Sequence, residues 1–122
     1  MIVSEEPFDI SEPTIEPHLV KLKALGADVL LEVATPKFAA QVLKRLAEIG
    51  WRPLHSLSYV SASIGSVIKP AGVETAQGAM SAAYFKDPND PAWKDDAGFI
   101  EFSEFVDRYL PQTERYVDCQ WL

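Results

Sequence analysis

The chain has 122 residues, 48% of them hydrophobic and 24% charged, and 18 acidic against 11 basic residues leave a formal net charge of −7. That length sets one domain around a single core, and the composition excludes wholesale disorder. The negative charge repels phosphate backbones and anionic membrane surfaces, so no nucleic acid and no membrane is expected as a partner. One cysteine, Cys119, excludes an intrachain disulfide and a cysteine-based zinc site. The first residues, MIVSEEPFDI, hold no basic stretch followed by an apolar run, so they are not expected to act as a signal peptide. No apolar run reaches the roughly 20 residues of a membrane span.

In chain order, residues 1–4 are short and apolar and predict a first strand. Residues 5–17 are a connection interrupted by Pro7, Pro13 and Pro17, with Ser11 or Thr14 placed to cap a helix whose first turn accepts Pro13. Ile15, Leu19, Leu22 and Leu25 then recur on one helical stripe, which Gly26 ends. Residues 28–33, DVLLEV, lack polar alternation and predict a strand covered on both faces. Thr35 and Pro36 are two helix-start signals in register, Phe38, Val42, Leu46 and Ile49 form the next buried stripe, and Gly50 stops it. Residues 53–58 predict a third strand, and a Ser- and Gly-rich segment follows with a helical turn at residues 63–68 ended by Pro70. Residues 77–85 predict a fourth strand. A proline-broken loop leads to a last amphipathic helix through Phe99, Phe102, Phe105 or Val106, and Tyr109, which Pro111 stops. The organisation is therefore α/β: residues 1–111 form a single lobe, and residues 112–122 form a tail without a clear period.

Most familiar catalytic patterns are missing. Glu5 and Glu6 follow the expected first strand as in an acidic phosphoacceptor pocket, but the third strand ends Leu57-Ser58-Tyr59 with no aspartate to accept the phosphoryl group. Neither His18 nor His55 has a second ligand at metal-binding spacing, so no metal is expected. The glycines match neither GxGxxG nor GxxxxGK[ST], so no nucleotide cofactor is expected, and no GxSxG elbow accompanies His55. Trp51 reads as a packing residue and Trp93 as a loop anchor, rather than as walls of a sugar or aromatic site.

What remains is a group of hydroxyl, aromatic and amide-rich positions at expected strand ends. These are Thr35, Pro36, Lys37 and Phe38 after the second strand, Ser58, Tyr59, Ser61 and Ser63 after the third, and Tyr84 with Phe85 after the fourth. Such groups suit selective, non-covalent binding of a small organic molecule. The free amides near Lys37 and Phe38 suit a carboxylate. The same residues equally suit plain capping and turn formation, and the pattern leaves both readings open.

Three stretches, KLKALGADVLLEVATPKFAAQVLKRLAEIGWRPL, SYVSASIGSVIKPAG and GAMSAAYFKDPNDPAWKDD, resemble in their order the second lobe of type I periplasmic solute-binding proteins. The branch is the branched-chain amino acid class that feeds ABC transporters, and the likeness spans residues 2–111, about nine-tenths of the chain. The resemblance implies a three-layer lobe: an open, mostly parallel, Rossmann-like sheet with helices on both faces, forming one wall of a clamshell cleft. It implies a non-enzymatic binder of an amino acid or small organic or aromatic acid, a periplasmic location and an ABC transporter permease as partner of the full-length protein. Thr35, Pro36, Lys37, Phe38, Ser58, Tyr59, Ser61 and Tyr84 become the expected ligand contacts.

The chain departs from the pattern in two ways. No acid lies between Leu57 and Val67 to pair a ligand ammonium, which disfavours an α-amino acid. The first lobe, hinge strands and export signal are absent, so the chain reads as a fragment. A homodimer through exposed lobe surface, with Trp121 and Leu122 contributing, is the alternative function. A small serine hydrolase using Ser58 or Ser61 with His55 is a third.

Overall fold

A computed structural model of the protein describes residues 1–84, 86 and 90–110. The chain divides into two compact units, Met1–Ala82 and Ala83–Leu122. In the first unit, helix α1 (Glu16–Ala24) leads to strand β1 (Val29–Glu32), helix α2 (Pro36–Glu48) and strand β2 (Leu54–Leu57). A 3-10 turn (Tyr59–Ala62), a π turn (Ile64–Ile68), the one-turn helix α3 (Lys69–Ala71) and a second 3-10 turn (Val73–Ala76) connect β2 to strand β3 (Met80–Ser81). The three strands form one parallel sheet in the order β1-β2-β3, with Val29 opposite Leu54, Glu32 opposite Leu57 and Leu57 opposite Ser81. The mixed α/β class and the parallel sheet expected from the sequence are both present.

A strand order that advances without reversal puts right-handed crossovers on one face of the sheet. The core follows that rule. Leu30 and Ala34 from β1 and its end pack with Leu19 of α1, with Phe38, Ala39, Val42, Leu43 and Leu46 of α2, and with Val67 and Ala71 of the second crossover. Phe38, Leu43 and Val67 are sealed from solvent, each contributing on the order of 1.5–3 kcal/mol by burial. Helix α2 anchors this layer because its apolar residues repeat at three- and four-residue spacing and Pro36 sits in its first turn.

Several local expectations change. Residues 1–4 form no strand, although Met1, Ile2 and Val3 are apolar. Helix α1 begins one residue beyond Ile15 with Pro17 in its first turn, while Thr14 Oγ1 accepts from the Glu16 amide. Neither Ser11 nor Pro13 starts it. Leu25 is half exposed, and Gly26 follows at φ +71°, the left-handed value that ends a helix. The segment expected to be covered on both faces alternates instead: Leu30 and Glu32 are buried, but Leu31 and Val33 are more than 70% exposed. Helical structure continues past Pro70 to Ala71, because proline tolerates the first turn of α3. The expected fourth strand shrinks to Met80–Ser81.

The second unit holds a short 3-10 turn (Pro91–Trp93) and helix α4 (Ala97–Tyr109). Asp96 caps α4, accepting from the Gly98 and Phe99 amides at 3.0 and 3.1 Å. Lys86 hydrogen-bonds Asp96 at 2.9 Å and holds its carboxyl below the usual range, with the two amides adding to the effect. Lys86 also lies 4.8 Å from the Trp93 ring centre, so Trp93 anchors this loop. The expected strand residue Phe85, the helix stop Pro111 and the tail with Cys119, Trp121 and Leu122 lie outside the described residues.

Candidate functional site

Parallel strands deliver their following loops to the same end of a sheet. Here the turn after β1 and the turn after β2 meet through one hydroxyl. Ser61 Oγ donates to the Ala34 carbonyl at 2.9 Å and accepts from the Ala34 amide at 3.1 Å. Its single proton is committed to the carbonyl, so Ser58 Oγ, 2.8 Å away, must be the donor in the contact between the two serines. The Ser58 amide closes the junction by donating to the Glu32 carbonyl at 2.8 Å. Ser61 is fully buried, and its whole hydrogen-bonding capacity holds the two turns together.

The other expected contacts separate accordingly. Thr35 stands at the cap position of α2 with extended backbone, yet its hydroxyl makes no capping hydrogen bond. Its side chain is exposed beside the first amides of α2, and those of Lys37 and Phe38 have no intrahelical acceptor. Ser58 is half-buried and retains both lone pairs for a further donor. Pro36 is half-buried and Lys37 exposed, with its ammonium 5.3 Å from the Phe38 ring centre. Phe38 itself is turned into the core, 1% exposed and 4.9 Å from Phe8 between ring centres. Tyr59 is half-buried at the start of its 3-10 turn. The structure therefore brings Thr35, Pro36, Lys37, Ser58, Tyr59 and Ser61 to one end of the sheet, with Phe38 and Ser61 as supports rather than contact surface. Tyr84 is exposed and belongs to the second unit. The order β1-β2-β3 contains no reversal, so among the described residues no switch-point crevice forms between these turns.

Sequence reasoning missed a buried pair beneath this rim. His55 Nε2 lies 2.8 Å from Glu32 Oε2, and both side chains are 6% exposed. One proton bridges the two atoms. The second carboxyl oxygen, Oε1, is buried with no hydrogen-bond partner among the described residues. Burial pushes the Glu32 carboxyl above the usual range, and the His55 hydrogen bond only partly offsets this. Leaving such an acceptor unpaired costs about 1–3 kcal/mol. The available signal was a lone acid inside VLLEV, at the even position that alternation turns inward.

His18 likewise meets carboxylates, with Nε2 2.8 Å from Glu12 and Nδ1 3.8 Å from Glu6. Lys21 and Ser4 hold the Glu6 carboxyl below its usual range, and the His18 contact does the same for Glu12. Among the described residues no group of three or more His, Cys, Asp or Glu side chains could hold a metal ion, and no hydrogen bond joins His55 to Ser58 or Ser61.

A separate cleft of about 700 Å³ lies between residues 1–8 and β1. None of the eight expected contact residues lines it. No protein-family model, curated protein or solved structure matches the chain.

Proposed function

We propose that the chain is a non-enzymatic binding lobe whose strand-end rim takes a small organic solute carrying a carboxylate. One observation carries the reading. Ser61 ties the turns after β1 and β2 together, leaving the Thr35 hydroxyl without a capping bond and the Ser58 oxygen able to accept. The first amides of α2 add a favourable site for a carboxylate. The resemblance to the second lobe of type I solute-binding proteins supplies the wider frame: a three-layer, Rossmann-like lobe facing a partner lobe, in a periplasmic protein that serves an ABC transporter permease. The apolar, exposed face formed by Val29, Leu31, Val33 and Leu54 supports that frame, because a second helix layer would cover it. A lone rim binds weakly, since closure supplies much of a pocket's burial.

Calorimetric titration with a panel of amino acids and aromatic acids tests the site. Binding by the parent chain that weakens about tenfold in Thr35→Ala and in Ser58→Ala, about 1.4 kcal/mol each, supports it. Undiminished binding in both variants removes the assignment.

The same exposed apolar face favours a second reading, self-association without a ligand. Sedimentation at micromolar concentration separates the two, and a strictly monomeric chain eliminates the second.

A further inference from the structure

We propose that the cleft between residues 1–8 and β1 is a binding site for an amphipathic organic cation, an ammonium attached to an apolar body, with Glu32 as its counter-ion. This site is distinct from the strand-end rim and uses none of the rim residues. Its volume, about 700 Å³, falls within the range that encloses small organic ligands. Leu22, Leu30 and Trp51 supply apolar wall, and the Trp51 indole is fixed by its hydrogen bond to the Ala27 carbonyl. Four acids, Glu5, Glu6, Asp28 and Glu32, line the cleft against two basic groups, the amino terminus of Met1 and His18, and His18 already lies against Glu6 and Glu12. Lys21 neutralises Glu6 from outside the lining, with an ammonium-to-carboxylate distance of 2.8 Å. Among the described residues Glu5 and Asp28 have no ion pair, and Glu32 has His55 alone.

A cluster of acids alone would say little, because acids on a surface are ordinarily just solvated. Glu32 is different. It is 6% exposed, one oxygen is held by His55 Nε2 and the other has no hydrogen-bond partner among the described residues. The cleft takes residues from both faces of β1, Val29, Leu31 and Val33 from the outer one and Glu32 with its neighbours from the inner one. Core residues Leu19 and Val42, from the helices, and Leu30 and Ala34, which share the Glu32 face of the strand, all belong to its lining. An ammonium seated there would give the unpaired oxygen a charged donor while His55 keeps the other in place. An anionic ligand would meet four carboxylates, with His18 already engaged by Glu6 and Glu12, and a purely apolar one would leave the carboxyl as it is. The apolar walls select against a bare inorganic cation, which would lose its water there without enough oxygens to replace it.

Phenethylamine is the probe, titrated calorimetrically into the full chain beside 2-phenylethanol and phenylacetate at neutral pH. The expected result is saturable binding of the amine, at least tenfold weaker binding of the alcohol and no binding of the acid. Glu32→Gln should weaken amine binding at least tenfold, and Glu5→Lys, at an exposed position, several-fold. The double variant Thr35→Ala, Ser58→Ala should bind the amine as the parent does, which separates this site from the rim. Should Glu32→Gln fail to fold, Glu5→Lys and the amine-to-alcohol ratio decide. Absence of saturable amine binding, equal affinity for amine and alcohol, or affinity unchanged by the folded acidic-site variants overturns the proposal.

Discussion

The two faces of β1 invert the usual distribution of residues. The side packed on the helices buries Leu30 and Ala34 but also Glu32, the strand's only charge. The opposite side exposes Val29, Leu31 and Val33, with Leu54 of β2 beside Val29. A soluble sheet face normally puts its polar residues outward and its valines inward. The contrast teaches where the two unusual features of β1 lie: a carboxyl met by His55 within, and an uncovered aliphatic surface without.

Substitutions on the two sides should differ most where the core is densest. Phe38→Ala is expected to destabilise by about 3–5 kcal/mol in urea unfolding, since it removes a sealed ring and its contact with Phe8. Ser61→Ala comes next, at about 1–3 kcal/mol, because both the Ala34 amide and carbonyl lose their hydroxyl partner. His55→Ala should cost a similar amount by leaving the Glu32 carboxyl wholly unpaired.

Glu32→Gln goes the other way as pH rises. The folded carboxyl titrates above its ordinary value of 4.5, so the folded state holds this proton more tightly than the unfolded state. Its contribution is therefore fully present below pH 4.5 and is lost as pH rises through the folded value. Unfolding followed across that range should show the loss in the parent and a flatter profile in the glutamine variant. An equal slope in both would remove the buried carboxyl as its source. On the outer face Leu31→Ala should change stability by less than about 0.5 kcal/mol. Leu31→Lys should abolish any self-association seen in sedimentation. Smallest of all is Thr35→Ala, whose hydroxyl makes no cap bond, so its unfolding midpoint should match the parent's.

Legibility in the sequence followed the range of the interactions. Helix α2 and its flanking strands were readable because Thr35-Pro36, the apolar stripe and Gly50 act within a few residues of one another. The rim was half readable. The sequence pointed to Thr35, Lys37, Ser58 and Ser61, but only contact across 27 positions distinguished Ser61, which locks Ala34, from Ser58, which keeps an accepting oxygen. Phe38 was read both as stripe and as contact, and packing decided for the stripe. Residues 1–4 have strand-like composition, yet a strand needs a neighbour, and none of the described residues pairs with them.

By itself the sequence determined the alternation of helix and strand around α2, the helix stops at Gly26 and Gly50 and the net negative charge. These depend on propensity, backbone freedom and charge, which are properties of neighbouring residues. Tertiary structure alone decided which face of β1 is inside, that Glu32 meets His55 across two strands, and that a cleft opens beside the N-terminal segment. Those outcomes depend on register and on which surface each crossover covers. A shift of one residue would turn Glu32 to solvent and Leu31 to the core, with no change in any local signal.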